Sequence, residues 1–221
     1  SLKDGSKIWN FNTEKPFINP LKKLSIVIEN NLVIFNNSLG DITAVNIESG
    51  ALEWQISTHN SDDLNEIISL KTSNLIIDEN KIFFSNNKNV FYSLDLNTGN
   101  INWKQNISSS VKPAVIGDLL FTISDNGYLF LIDKNRGNIV RINDIFKNFK
   151  PKVKKNLAPT GFILDANNLY VSTNFGKLLI VNIENASTKE ILKIGKGKLS
   201  RPFVKNQNLF LIKDNAIIKL N

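Results

Sequence analysis

Residues 93–103 read SLDLNTGNINW. Two alternating apolar runs flank a polar turn, Asn97-Thr98-Gly99-Asn100, and Trp103 follows four residues after the glycine. Alternation of period two marks a half-buried strand, and Gly99 supplies the positive φ of a tight reversal, so the stretch predicts a β-hairpin. The same phrase returns along the chain. Written as Ala-x-Asp-x-x-Thr-Gly-x-x-x-Trp, it recurs at 44–54 (AVNIESGALEW), with Asn46 for Asp, Ser49 for Thr, and Gly50 and Trp54 in place. At 131–141 (LIDKNRGNIVR) it keeps Asp133 and Gly137 but has Arg141 for Trp. A worn copy at 180–190 (IVNIENASTKE) has Ala186 for Gly and Glu190 for Trp, and the chain opens on SLKDGSKIW, which keeps Gly5 and Trp9.

The Asp-equivalent positions are 1, 46, 95, 133, 182 and 221. They mark five units of about 44 residues, at 1–45, 46–94, 95–132, 133–181 and 182–221, which is the period of four-stranded propeller blades. From the end of the second unit into the third, the strands of one blade are expected at 75–77, at 81–85, through Leu96, and from the Thr-Gly turn through Trp103. Asn-, Asp- and Gly-rich turns separate such runs throughout, and helical periodicity is nearly absent. The expected fold is therefore all-β, a β-propeller of four-stranded antiparallel blades forming one domain over 1–221. By strict alternation Leu52 shares a face with Trp54, and Ile101 with Trp103. The repeated tryptophans are expected to cover the flank of the neighbouring blade, each indole N–H finding an acceptor there. Asp95 and Asp133 are expected to fix their hairpins through hydrogen bonds to nearby backbone N–H groups.

The 221 residues are 42% hydrophobic and 21% charged, an ordinary globular balance. The absence of cysteine excludes disulfides, thiolate metal sites and a cysteine nucleophile. No run approaches the length of a membrane-spanning helix. The chain has no methionine, so Ser1 is expected to be an internal start, in a processed form or a fragment.

The motif, best kept at 93–103 and 44–54, resembles the repeat signature of the quinoprotein-like (PQQ-type) β-propellers. The pattern of unit lengths is similar to the BamB-type members, the propeller components of outer-membrane β-barrel assembly. That resemblance implies eight blades, of which these five units are the C-terminal part. The phase of the repeats also permits a closed five-bladed ring, with residues 1–11 supplying the fourth strand for 199–221, but part of an eight-bladed propeller is the expectation. The resemblance further implies a non-catalytic periplasmic scaffold, anchored to the outer membrane through a lipidated N-terminus upstream. The implied partner is the POTRA region of a BamA-like barrel subunit, bound through interblade loops.

Quinone-dependent dehydrogenases, or degenerate ligand-binding relatives, share the signature and form the alternative. Their chemistry needs a calcium ion held beside the quinone by a carboxylate and an amide, with an Asp as base. No Asp, Glu and Asn cluster reads as such a loop. The single His59 stands in a polar stretch with Asp62 and Asp63 but without a nucleophile motif. No catalytic residue, cofactor or metal is expected.

Length variation concentrates in the connections between units, at about 12–23, 57–73, 107–112, 144–157 and 195–200, and such loops on a rigid scaffold are where binding resides. Two carry apolar residues that loops do not need. Phe17, Ile18 and Leu21 lie in a proline-stiffened stretch, and Leu64, Ile67 and Leu70 lie in SDDLNEIISL, where Ser61 can cap a short helix. These six are the candidate partner contacts. Lys147, Lys150, Lys152, Lys154 and Lys155 form a basic cluster, with Lys193, Lys196, Lys198 and Arg201 in the next connection and a net charge of +7. An anionic membrane surface is a candidate partner for residues 147–155. Nucleic acid is not expected, because the clusters lack a recognised module and aromatics beyond Phe146 and Phe149.

Overall fold

The computed structural model describes residues 1, 3–13, 24–37, 40–58, 72–86 and 89–220. It is an all-β propeller chain in two compact units, Ser1–Asn106 and Ile107–Asn221. The first unit holds two four-stranded sheets. One is β1 (Ile26–Glu29), β2 (Leu32–Asn36), β3 (Ile42–Asn46) and β4 (Leu52–Ile56); the other is β5 (Ile76–Asp78), β6 (Lys81–Ser85), β7 (Phe91–Asp95) and β8 (Ile101–Gln105). The second unit holds β9 (Ala114–Ile116), β10 (Leu119–Ile123), β11 (Tyr128–Asp133) and β12 (Ile139–Asp144) in one sheet. A second sheet is β13 (Pro159–Leu164), β14 (Asn168–Thr173), β15 (Lys177–Asn182) and β16 (Thr188–Lys193). A third has three strands, β17 (Phe203–Lys205), β18 (Asn208–Lys213) and β19 (Ala216–Leu220).

Every sheet runs in sequence order with antiparallel neighbours, so each connection within it is a hairpin. Turn residues make this local. Asn30, Asn31, Glu79, Asn206 and Gln207 take φ between +47° and +65°, a region where asparagine is the least penalised side chain. The middle strands are apolar on both faces and buried almost throughout, as in β6 and β10. In the first unit Ile34, Trp54, Ile82, Phe84 and Leu94 belong to one core cluster. In the second, Phe121, Leu129, Phe146, Phe162 and Leu179 form another.

One expectation changes. In all four complete sheets the register between third and fourth strands slips at the same place: Ala44/Val45, Ser93/Leu94, Leu131/Ile132 and Ile180/Val181. Each slip is a β-bulge that leaves one fourth-strand residue without a direct partner: Glu53, Asn102, Val140 and Lys189. A bulge breaks strict alternation. Leu52 and Ile101 therefore stay 52% and 48% exposed, while Trp54 and Trp103 are 9% exposed. The basic connection also holds a single helical turn, α1 (Pro151–Lys154), with Pro151 in the first turn, where its missing N–H costs nothing.

Candidate functional site

The six loop residues read as partner contacts, Phe17, Ile18, Leu21, Leu64, Ile67 and Leu70, lie outside the described residues, as does His59. The repeat residues lie within them, and the hairpins share one construction. Asp95 Oδ1 accepts from the N–H groups of Asn97 and Thr98 at 3.0 and 2.9 Å and from the Thr98 hydroxyl at 2.9 Å. Asn46 Oδ1 accepts from the N–H groups of Glu48 and Ser49, and Asp133 Oδ1 from those of Asn135 and Arg136. Those two N–H groups hold the Asp133 carboxyl below its ordinary range. Gly5, Gly50, Gly99 and Gly137 donate N–H groups to the carbonyls four residues earlier, all at φ between +70° and +77°.

Tryptophan and glycine from successive hairpins meet. Trp9 Nε1 donates to Ile47 O at 2.8 Å, and Trp54 Nε1 to Leu96 O at 3.1 Å. Each acceptor directly follows the Asp-equivalent residue of the next hairpin. A Cβ on Gly50 would stand 2.7 Å from the Trp9 ring, and one on Gly99 would stand 2.6 Å from the Trp54 ring. The glycine therefore serves its turn and seats the indole from the preceding hairpin. Opposite Trp54 and Trp103 on the third strand stand small residues, Ala44 and Ser93. Trp103 also packs on Phe83 and Phe91, with ring centroids 5.9 and 6.1 Å away.

At the third and fourth hairpins the wedge is missing. Arg141 and Glu190 occupy the tryptophan positions and are exposed, opposite the larger Leu131 and Ile180. At the glycine position that would seat a ring from position 141 stands Ala186, buried and at φ +54°. A cavity opens at each of these places. One of about 420 Å³ is lined by Leu119, Phe121, Leu131, Val140, Arg141 and Ile183 among others. The second, of about 410 Å³, is lined by Leu164, Tyr170, Ile180, Leu192, Val204 and Leu209 among others. The sequence shows the tryptophan losses plainly; that they leave paired, open grooves depends on residues some forty positions apart and is legible only in the fold.

The basic connection is less free than its composition suggests. Lys154 pairs with Asp144, which raises the lysine pKa, and its ammonium lies 5.6 Å from the centre of the Tyr128 ring. Lys177 lies 4.5 Å from the Phe149 ring centre. Phe146 and Phe149 meet edge to face at 5.9 Å, with Phe146 buried over Gly127. Lys147, Lys150, Lys152 and Lys155 remain exposed. Partial burial, with Arg201 nearby, lowers the pKa of Lys112. Among the described residues no group of three or more His, Asp or Glu side chains is placed to hold a metal.

No curated protein matches the sequence. Among solved structures, BamB from Moraxella catarrhalis is similar at 16% identity and TM-score 0.56, covering 88% of this chain and 70% of its own. The β-propeller domain of Cps50 (Swd1) from Myceliophteria thermophila is similar at 11% identity and TM-score 0.64, covering 85% of this chain and 60% of its own. The computationally designed Ika8 protein follows at 13% identity and TM-score 0.58, covering 89% and 70%. At these identities the likeness is one of fold. The family model described as outer membrane protein assembly factor BamB matches residues 1–143, more than half of the chain. With its repeated Asp-turn, glycine seat and tryptophan wedge, the chain belongs to that family of PQQ-repeat β-propellers.

Proposed function

We propose that this chain is a non-catalytic scaffold that assists the assembly and insertion of outer-membrane β-barrel proteins by binding the POTRA region of a BamA-like barrel subunit in the periplasm. The family match over residues 1–143 carries this reading. Its physical basis is a framework locked by wedges and turn hydrogen bonds, from which only the connections between sheets are free to vary. Phe17, Ile18, Leu21, Leu64, Ile67 and Leu70 are the proposed contacts, and a lipidated segment upstream is the proposed anchor.

The test is capture of the purified POTRA region by the immobilised chain. Saturable binding is expected, weakened roughly ten-fold or more when Ile18, Leu21 and Ile67 are changed together to Glu. Undiminished binding by that variant refutes the loop assignment, and no binding by the native chain refutes the partner. Incubation with pyrroloquinoline quinone and calcium is expected to leave the visible absorbance unchanged; uptake of both would support the dehydrogenase alternative. Contact with an anionic membrane surface through the exposed lysines of 147–155 belongs to the same reading. At about 1 kcal/mol per basic residue near such a surface, changing Lys147, Lys150, Lys152 and Lys155 to Glu is expected to abolish sedimentation with phosphatidylglycerol vesicles at low salt. Lys154, already paired with Asp144, contributes little to this term.

A further inference from the structure

We propose that the groove beside Arg141 is a binding site for an aromatic side chain, tryptophan above all, presented by a partner polypeptide. This inference does not rest on the scaffold reading. It starts from internal equivalence. By strand register, Leu119, Phe121 and Leu131 stand where Leu32, Ile34 and Ala44 stand around Trp54. Ile183 directly follows Asn182 as Leu96 follows Asp95, and it lines the groove. The chain thus repeats the frame of that apolar slot, with the larger Leu131 and Phe121 in place of Ala44 and Ile34, and omits the indole that fills it elsewhere. The backbone acceptor persists. Ile47 O and Leu96 O each receive an indole N–H, whereas Ile183 O, in the same position, receives no hydrogen bond among the described residues.

The mouth of the slot is also unusual. The bulge residue on the fourth strand is Glu53, Asn102 or Lys189 in the other complete sheets, each suited to water, but here it is Val140, 60% exposed. Ile116, on the opposite rim of the same groove, is 49% exposed. Exposed apolar groups around a cavity of about 420 Å³ fit a guest that buries them, and the volume lies within the range of ligand sites. Arg141 selects among apolar guests, because a guanidinium lies favourably on an aromatic face and gains nothing comparable from an aliphatic one. Ala186 sets the depth. A Cβ at the equivalent glycines would stand 2.6–2.7 Å from the indole, so the Ala186 methyl keeps a guest ring shallower than Trp54, towards Val140 and Arg141.

The test is titration of the ¹⁵N-labelled chain with N-acetyl-tryptophanamide, and with N-acetyl-leucinamide as comparator, followed by amide chemical shifts. Saturable shifts are expected at Leu131, Arg141 and Ile183, with the leucine analogue roughly ten-fold weaker. The double change Arg141→Trp with Ala186→Gly restores the internal wedge and is expected to raise the melting temperature and abolish these shifts. Ile116→Glu with Val140→Glu, at exposed positions, is expected to preserve the fold and weaken binding at least about ten-fold; this pair decides the matter should the wedge-restoring variant fail to fold. Shifts that do not saturate, equal binding of the leucine analogue, or undiminished binding by either folded variant would overturn the proposal.

Discussion

At φ +71°, Gly99 occupies a conformation that disfavours any residue with a Cβ by about 1–2 kcal/mol, and the Trp54 ring lies where that Cβ would go. Gly99→Ala is therefore expected to cost more than the conformational part alone, measured by urea unfolding. The excess should disappear in a Trp54→Ala background, because two residues that share one contact are not additive. Trp54→Phe keeps most of the ring but leaves Leu96 O unpaired, an expected loss of about 1–3 kcal/mol. Asp133 answers a different question. Its folded-state pKa is depressed by the N–H groups of Asn135 and Arg136, so its contribution is complete above the unfolded value near ~4 and is lost as pH falls through the folded one. Asn46 and Asn182 do the same work uncharged. Asp133→Asn is accordingly expected to leave neutral-pH stability nearly unchanged and to reduce the loss of stability below about pH 4, read from melting temperatures across the acid range.

Among the elements, the fourth strands carry the most individuality. β8, β12 and β16 are the least buried strands of their sheets and β4 exposes three of its five residues, while β6, β7, β10 and β14 are covered along most of their length. Amide hydrogen exchange is expected to be slowest in the second and third strands and fastest along β12, whose first four residues are all exposed. The strands themselves were readable from residue order: the runs expected at 75–77 and 81–85 appear as β5 and β6, displaced by a single residue in the first case. The bulge was not readable, because period-two reasoning assumes unbroken pairing, and a bulge is set by the partner strand and the turn together. The Arg141 groove was half legible. Arg141, Ala186 and Glu190 depart visibly from the repeat, but only long-range packing reveals that Arg141 and Ile183, some forty positions apart, line the same space. The six loop residues rest on sequence alone.

On the scale of the whole molecule, each compact unit has its own core, and Trp9, Trp54 and Trp103 all belong to the first. Indole fluorescence therefore reports on residues 1–106, whereas far-ultraviolet circular dichroism reports on every sheet. Phe162→Ala empties a fully buried position of the second unit, at an expected cost of about 3–5 kcal/mol. It should lower the midpoint followed by circular dichroism more than the one followed by fluorescence; equal shifts would show a single cooperative transition. The tandem order itself was fully legible, since a phrase repeated about every 44 residues needs only one kind of module. The wedge adds a consequence for how such a chain changes over generations. A module that keeps the motif brings both a key for its successor and a lock for its predecessor, so duplication or loss of such a module by unequal crossing-over leaves each remaining key facing a lock. Divergence within a module has no such freedom, because a key that is lost leaves a hollow against the neighbour, as beside Arg141.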